Sequence, residues 1–146
     1  MMKQGYLVIA QNTKDSEGKT IDYVRMAYAL ALSIKHTQKG VNNVSVAVVN
    51  KKDVPTHYHY VFDEIVELPF EDDAKMADWK INNKWKYYHC TPYEQTVILD
   101  TDMLFMSDVS HWWEYLTQWD MMATTRVKTY RGAVSYTHLR AHETHE

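Results

Sequence analysis

At 146 residues the chain is the size of one domain, long enough to hide about two thirds of its unfolded surface on folding. Its formal net charge of -3, with both signs mixed along the sequence, offers no basic stripe and argues against nucleic acid as a partner. One cysteine, Cys90, excludes an internal disulfide framework and points to a reducing, cytoplasmic compartment.

The longest apolar run is too short to span a bilayer, so no transmembrane segment is expected. Met1 to Gly5 lead straight into a strand-like run and do not read as a signal peptide. Tyr6 to Ala10 reads as a buried strand, and the polar stretch Gln11 to Lys19, with Gly18, as a loop. Thr20 to Gln38 is the clearest helix. Thr20 or Asp22 suits its start, and Gly40 suits a left-handed stop. Val24, Ala27, Tyr28, Ala31 and Ile34 fall on one face of it.

Val44 to Val49 is apolar at nearly every position, as a parallel strand covered on both sides would be. Pro55 opens a short helix or turn, and Glu64 to Leu68 alternates like a short strand. A helix near Asn83 to Cys90 stops before Pro92. Thr96 to Leu99 reads as a second buried strand. Ser107 or Ser110 then caps a helix from His111 to Trp119, and Met121 to Thr125 reads as a last strand. Strands alternating with helices predict an α/β layer fold with a mostly parallel sheet.

The strongest chemical signal is Asp100-Thr101-Asp102, placed directly after the apolar run Val97-Ile98-Leu99. Ligands of open α/β sheets bind at the carboxyl ends of strands. In extended backbone, residues two apart point the same way, so the carboxylates of Asp100 and Asp102 are expected to converge. Two close carboxylates repel each other. A hard divalent cation such as Mg2+ or Mn2+ removes that repulsion and in turn holds diphosphate oxygens. The plain alternative is a polar turn that closes a strand, since Asp-x-Asp is common.

This segment resembles the DxD motif of glycosyltransferases with the GT-A fold, in particular the glycogenin-like family eight. Asp22 to His36 resembles that family's first helix, with an aromatic residue at its start and a Ser-apolar-Lys ending at Ser33-Ile34-Lys35. Asn12 resembles its nucleotide-contacting loop, and Tyr93-Glu94-Gln95 its tyrosine-acidic lead-in to the DxD strand. The resemblance covers about residues 5 to 127. It implies a Rossmann-like, three-layer fold, represented here by its N-terminal, nucleotide-sugar-binding half. It also implies metal-dependent transfer of a sugar from a nucleotide-sugar, a UDP-sugar by expectation, to a glycan, protein or lipid-linked acceptor. Asp102 would coordinate the metal, and Asp100 would share it or hold the ribose. Tyr23 would stack on the base, while Ala10 and Asn12 would line the nucleotide. The loop from Gln11 to Ile21 is longer than the family's. A third metal ligand, a histidine, and most of the acceptor site would lie beyond this sequence, which makes the fragment inactive by expectation.

Val134 to Thr144, VSYTHLRAHET, resembles one translated frame of the transposon-end adapter used to build sequencing libraries. That resemblance divides the chain into residues 1–132, the front part of a GT-A domain, and 133–146, a non-native tail. It also removes His138, His142 and His145 from consideration as a metal cluster, although their spacing would pass for one.

Other candidates read more simply. His57 and His59 flank Tyr58 and would share a strand face, so a metal pair is conceivable, but two histidines near a surface turn are more often solvated. Lys80, Lys84 and Lys86, interleaved with Trp79 and Trp85, are conceivable as contacts to phosphates or a base, but read more simply as a solvated helix face with its aromatics turned inward. Cys90 reads as a buried small residue. Trp112 and Trp113 are conceivable as a sugar-stacking pair, but Trp112, Tyr115 and Trp119 have the spacing of core positions. Two rival functions share the Asp-x-Asp pattern or the fold. One is a haloacid-dehalogenase-like phosphatase, with Asp100 as nucleophile and Asp102 as general acid. That motif usually opens its domain and has Gly-Thr after the second Asp, where this chain has Met103-Leu104. The other is a non-catalytic nucleotide- or sugar-binding module.

Overall fold

The structure is a computed structural model and describes residues 3–75, 80–122, 127–128 and 134–135. The chain divides into two compact units, Met1–Ser110 and His111–Glu146.

The first unit is an α/β layer built on a four-stranded, all-parallel sheet. Its strands are β1 (Gln4–Ile9), β4 (Val44–Val48), β5 (Glu64–Glu67) and β6 (Gln95–Leu99), in the order β5-β4-β1-β6. Two short strands, β2 (Thr13–Lys14) and β3 (Thr20–Ile21), pair antiparallel between β1 and the first helix. The polar stretch after β1 is therefore a small hairpin and not an open loop. Gly18, at φ 79, supplies the left-handed residue its turn needs.

Parallel neighbours require a crossover, and α1 (Tyr23–Thr37) carries the chain from β1 to β4. Its buried positions are Val24, Ala27, Leu30, Ala31 and Ile34. The expected face thus shifts slightly, with Leu30 inside and Tyr28 only half-buried. Tyr28 instead stacks on Tyr58, with ring centroids 4.1 Å apart. The helix ends without a left-handed glycine. Gln38 is the extended capping residue and its N–H donates to the Ile34 carbonyl, while Gly40 has no positive φ.

Register sorts the two faces of the sheet. Tyr6 pairs with Val44 and Val97, and Val8 with Val46 and Leu99. These side chains share one face, where Phe105 meets the Tyr6 ring edge-on at 5.4 Å and its N–H donates to Ser33 Oγ of α1. Leu7, Ile9 and Ala47 lie on the other face, clustered with Tyr87 and Cys90 of the short helix α2 (Tyr87–Cys90). Cys90 is buried, as expected, and burial pushes its thiol up. Tyr93 covers Gly5 on this face and its hydroxyl bonds Ser45 Oγ at 2.5 Å. Helical segments therefore cover both faces, which is why β1 and β4 are buried almost throughout.

β6 departs from the expectation of a fully buried strand. Among the described residues it is an edge strand, and Ile98 is 52% exposed. An apolar run announces a strand but does not say how many neighbours it has.

In the second unit the predicted helix shrinks to one turn, α3 (Trp112–Tyr115), with His111 as an N-cap that makes no side-chain capping bond. Trp113 is its buried residue, whereas Tyr115 and Trp119 are exposed, against the expected core spacing. Met121 and Met122 are exposed and outside any strand, and 123–125 lie outside the described residues. β7 (Val127–Lys128) pairs antiparallel with β8 (Val134–Ser135). His138, His142 and His145 of the tail lie outside the described residues. No helix among the described residues is long and apolar enough to cross a membrane.

Candidate functional site at the carboxyl edge of the sheet

The parallel pairing of β1 with β6 brings their carboxyl ends together, with Val8 opposite Leu99. Asp100 is the first residue beyond β6, and Ala10 the first beyond β1. Both chains therefore leave the sheet at one edge, side by side. From Ala10 the chain passes through Asn12 and the β2–β3 hairpin to Tyr23, the first residue of α1.

Asn12 closes this path. Its Oδ1 accepts the Val24 N–H at 3.0 Å, while Asp22 Oδ1 accepts the Arg25 N–H at 2.9 Å. Two of the helix's first N–H groups are thereby satisfied, one of them by a residue twelve positions upstream. Asn12 is exposed, Tyr23 is half-buried at the helix start, and Ala10 is buried with its N–H donated to the Ala47 carbonyl at 3.0 Å. The glycosyltransferase resemblance implies a nucleotide contact for these three residues. The structure brings them to the same edge as Asp100 and gives Asn12 a capping duty that spacing did not reveal.

Tyr87 ties the two strand ends. Its hydroxyl donates to the Leu99 carbonyl at 3.2 Å, immediately before Asp100. Burial pushes the phenol up to about 12, against a smaller opposing effect of a backbone hydrogen bond with Ile9, the last residue of β1.

Asp100 and Asp102 are both exposed. The strand stops at Leu99, and Thr101 and Asp102 form a turn. The rule that residues two apart share a side holds for extended backbone only, so it does not carry past Leu99. Asp100 has a partner that the sequence reading set aside: Lys84, whose ammonium donates to its carboxylate in an ion pair. Lys84 and Lys86 do not form the expected solvated face. They lie on a 3-10 helix, Lys80–Lys86, and Lys86 is fully buried, its ammonium donating to the Glu71 carbonyl with Asp73 Oδ2 3.5 Å away. In a 3-10 helix successive side chains turn by a third of a circle, so alternate lysines need not share an environment.

A part-buried polar ring closes on Asn83 of this helix. Asn83, with no exposed surface, donates from Nδ2 to Gln11 Oε1 (2.8 Å) and Asp72 Oδ1 (2.7 Å). Gln11 Nε2 closes the ring on Asp72 Oδ2 at 3.0 Å, and Asn83 Oδ1 accepts the Asp73 N–H at 3.2 Å. Gln11 sits between Ala10 and Asn12, so the ring joins the exit of β1 to the segment that presents Lys84.

The loop after Asp102 is held from α1. Ser33 Oγ accepts from Phe105 N–H at 2.9 Å. The buried Gln38 side chain donates to the Ser107 carbonyl and accepts from Val109 N–H, both at 2.9 Å. Ser107 and Ser110 serve this loop and not a helix cap. The Ser110 hydroxyl bonds Asp108 Oδ1 at 2.7 Å and holds that carboxyl below its usual range.

His57 and His59 fall on a 3-10 helix, Thr56–Val61, and not on a strand. Both are exposed, and His59 Nε2 bonds the Val54 carbonyl at 3.0 Å. Among the described residues, no three His, Cys, Asp or Glu side chains gather as a metal cage. Asp100 and Asp102 still suit a divalent cation of the kind held by one or two carboxylates with phosphate oxygens and water. Asp100 already takes a cationic partner, the Lys84 ammonium.

No protein-family model matches this chain, and no curated protein matches it. The likeness to glycosyltransferases therefore rests on the residues themselves. What the structure establishes is an α/β fold with a four-stranded parallel sheet and an acidic pair at the carboxyl edge of that sheet.

Proposed function

We propose that this chain is the nucleotide-sugar-binding half of a GT-A-fold glycosyltransferase, with Asp100 and Asp102 holding a divalent cation on the diphosphate of a UDP-sugar. The observation that carries the reading is the position of the acidic pair. It follows the last residue of β6, beside the strand whose exit leads through Asn12 to the start of α1. This edge is where open α/β sheets bind ligands.

When bound, Mn2+ or Mg2+ supplies Lewis-acid stabilisation of the departing nucleoside diphosphate. The chain's own residues bind and orient. Asp102, exposed on its turn, coordinates the cation, and Asp100 shares it or holds the ribose. Tyr23 offers its ring to the base. The Asn12 amide oxygen is committed to Val24, so its Nδ2 is the group that faces the nucleotide. Ala10, being buried, supports this wall from beneath. Tyr87 and the Asn83 ring keep the two strand exits in register.

Incubation with a panel of nucleotide-sugars, with and without Mn2+, tests the reading. Mn2+-dependent release of nucleoside diphosphate, or Mn2+-dependent binding without turnover as expected of a donor-binding half, supports it. Phosphate release from a simple monoester would point to a phosphatase instead. Nucleotide-sugar binding indifferent to Mn2+ would leave only a binding module.

A further inference from the structure

An exposed lysine–carboxylate pair is usually incidental and contributes little. Lys84 and Asp100 are exposed, with side chains 42% and 57% accessible. What sets this pair apart is the support beneath Lys84. Asn83 just before it and Lys86 two residues after it are both fully buried and both bonded. Trp85, between Lys84 and Lys86, donates from Nε1 to Asp73 Oδ2 at 3.0 Å and stacks on Phe70 with ring centroids 5.6 Å apart. Asn83, fully buried with both amide donors and its acceptor bonded, holds one geometry, because a slip would leave a polar group unpaired in a low dielectric. The backbone around Lys84 is fixed from three sides, and its side chain is the one that reaches out to Asp100.

We propose that Lys84 is a built-in counter-ion at Asp100, which a divalent cation must displace in order to bind. The inference rests on the reading of Asp100 and Asp102 as the cation-holding pair and assigns that site a regulation of its own. An ammonium on Asp100 offsets that carboxylate's charge in the free protein. The same ammonium opposes an incoming divalent ion, both by occupying a carboxylate oxygen and by like charge. Cation affinity is therefore set lower than the two aspartates alone would give. Arginine at this position retains the charge, whereas glutamine retains most of the length without it.

Direct titration with Mn2+ alone, following the electron paramagnetic resonance signal of the free ion, tests this on the whole 146-residue chain. Lys84→Gln is expected to bind Mn2+ about three- to ten-fold more tightly than wild type, the scale of one exposed charge interaction. Lys84→Arg is expected to stay near wild type. In the Lys84→Gln background, Asp100→Asn should abolish the gain. If Lys84→Gln binds Mn2+ no more tightly while Asp102→Asn binds it less tightly, the counter-ion role is overturned and the cation site stands. If Asp100→Asn and Asp102→Asn both leave Mn2+ binding unchanged, or none of the proteins binds it, the cation site itself falls and the counter-ion role falls with it.

Discussion

Asn12 and Val24 are joined across the β2–β3 hairpin, the Asn12 side-chain oxygen accepting the Val24 N–H at 3.0 Å. The loop that resembles a nucleotide contact is thus also a helix cap, which makes Asn12→Ala a stability variant as well as a binding one. It should lower stability by about 0.5–2 kcal/mol, the usual cost of losing a cap. Asn12→Asp keeps the acceptor and adds a favourable charge at the helix start, so it should stay within a few tenths of wild type. Urea unfolding of the two variants separates them. Equal losses would mean that the cap contributes nothing.

Gly5 and Tyr93 fit only because glycine lacks a side chain. A Cβ at Gly5 would lie 2.3 Å from Tyr93 Cζ. Gly5→Ala should cost about 1–3 kcal/mol as the ring is forced off the strand and its hydroxyl off Ser45. The same substitution in a Tyr93→Leu background should cost less. Thermal unfolding of the two single variants and the double variant measures the difference.

Stability should fall in strong alkali. Burial raises the phenols of Tyr87 and Tyr93 to about 12, above the ordinary value of 10.0. The folded chain holds these protons to a higher pH than the unfolded chain, so their contribution is intact below pH 10. It is lost as pH rises from about 10 to about 12, up to about 2–3 kcal/mol for Tyr87 and less for Tyr93, whose surroundings are screened by solvent. Tyr87→Phe should flatten the fall in urea-measured stability across that window. An unchanged slope would show that Tyr87 ionises as freely folded as unfolded.

Asn83→Ala would remove the donor that Gln11 Oε1 and Asp72 Oδ1 share, while the Ala74 N–H still reaches Asp72 Oδ1. The expected cost is about 0.5–1.5 kcal/mol for each hydrogen bond lost. Hydrogen exchange should show the loss locally. The N–H groups of Asp73 and Ala74, which bond within the ring, should exchange faster, while those of β4 keep their protection.

Much of the fold was legible because its elements announce themselves locally. Val44 to Val48 is apolar at every position but Ser45 because the strand is covered on both faces, and β1 and α1 read clearly for related reasons. The edge position of β6 was not legible, since Val97 to Leu99 would look the same in a central strand. Gly40 misled because glycine commonly ends helices. Here Gln38 ends α1 by spending its side chain on Ser107 and Val109, residues about 70 positions away. Asp100 was legible from its place after an apolar run. Its partner Lys84 was not, since the pair joins a 3-10 helix to a strand end, and only the folded chain brings them together.

The most direct measurement is a calorimetric titration of a uridine diphosphate-sugar into the chain, with Mn2+ present and absent, for wild type and Asp102→Asn. Wild type should bind weakly and only with Mn2+, and Asp102→Asn should lose at least about tenfold in affinity, since it removes a charge and a cation ligand together. Tyr23→Ala should lose about 1–3 kcal/mol if its ring stacks on the base. Equal affinity in wild type and Asp102→Asn, or binding indifferent to Mn2+, would contradict the assignment of Asp100 and Asp102 as the cation and diphosphate site.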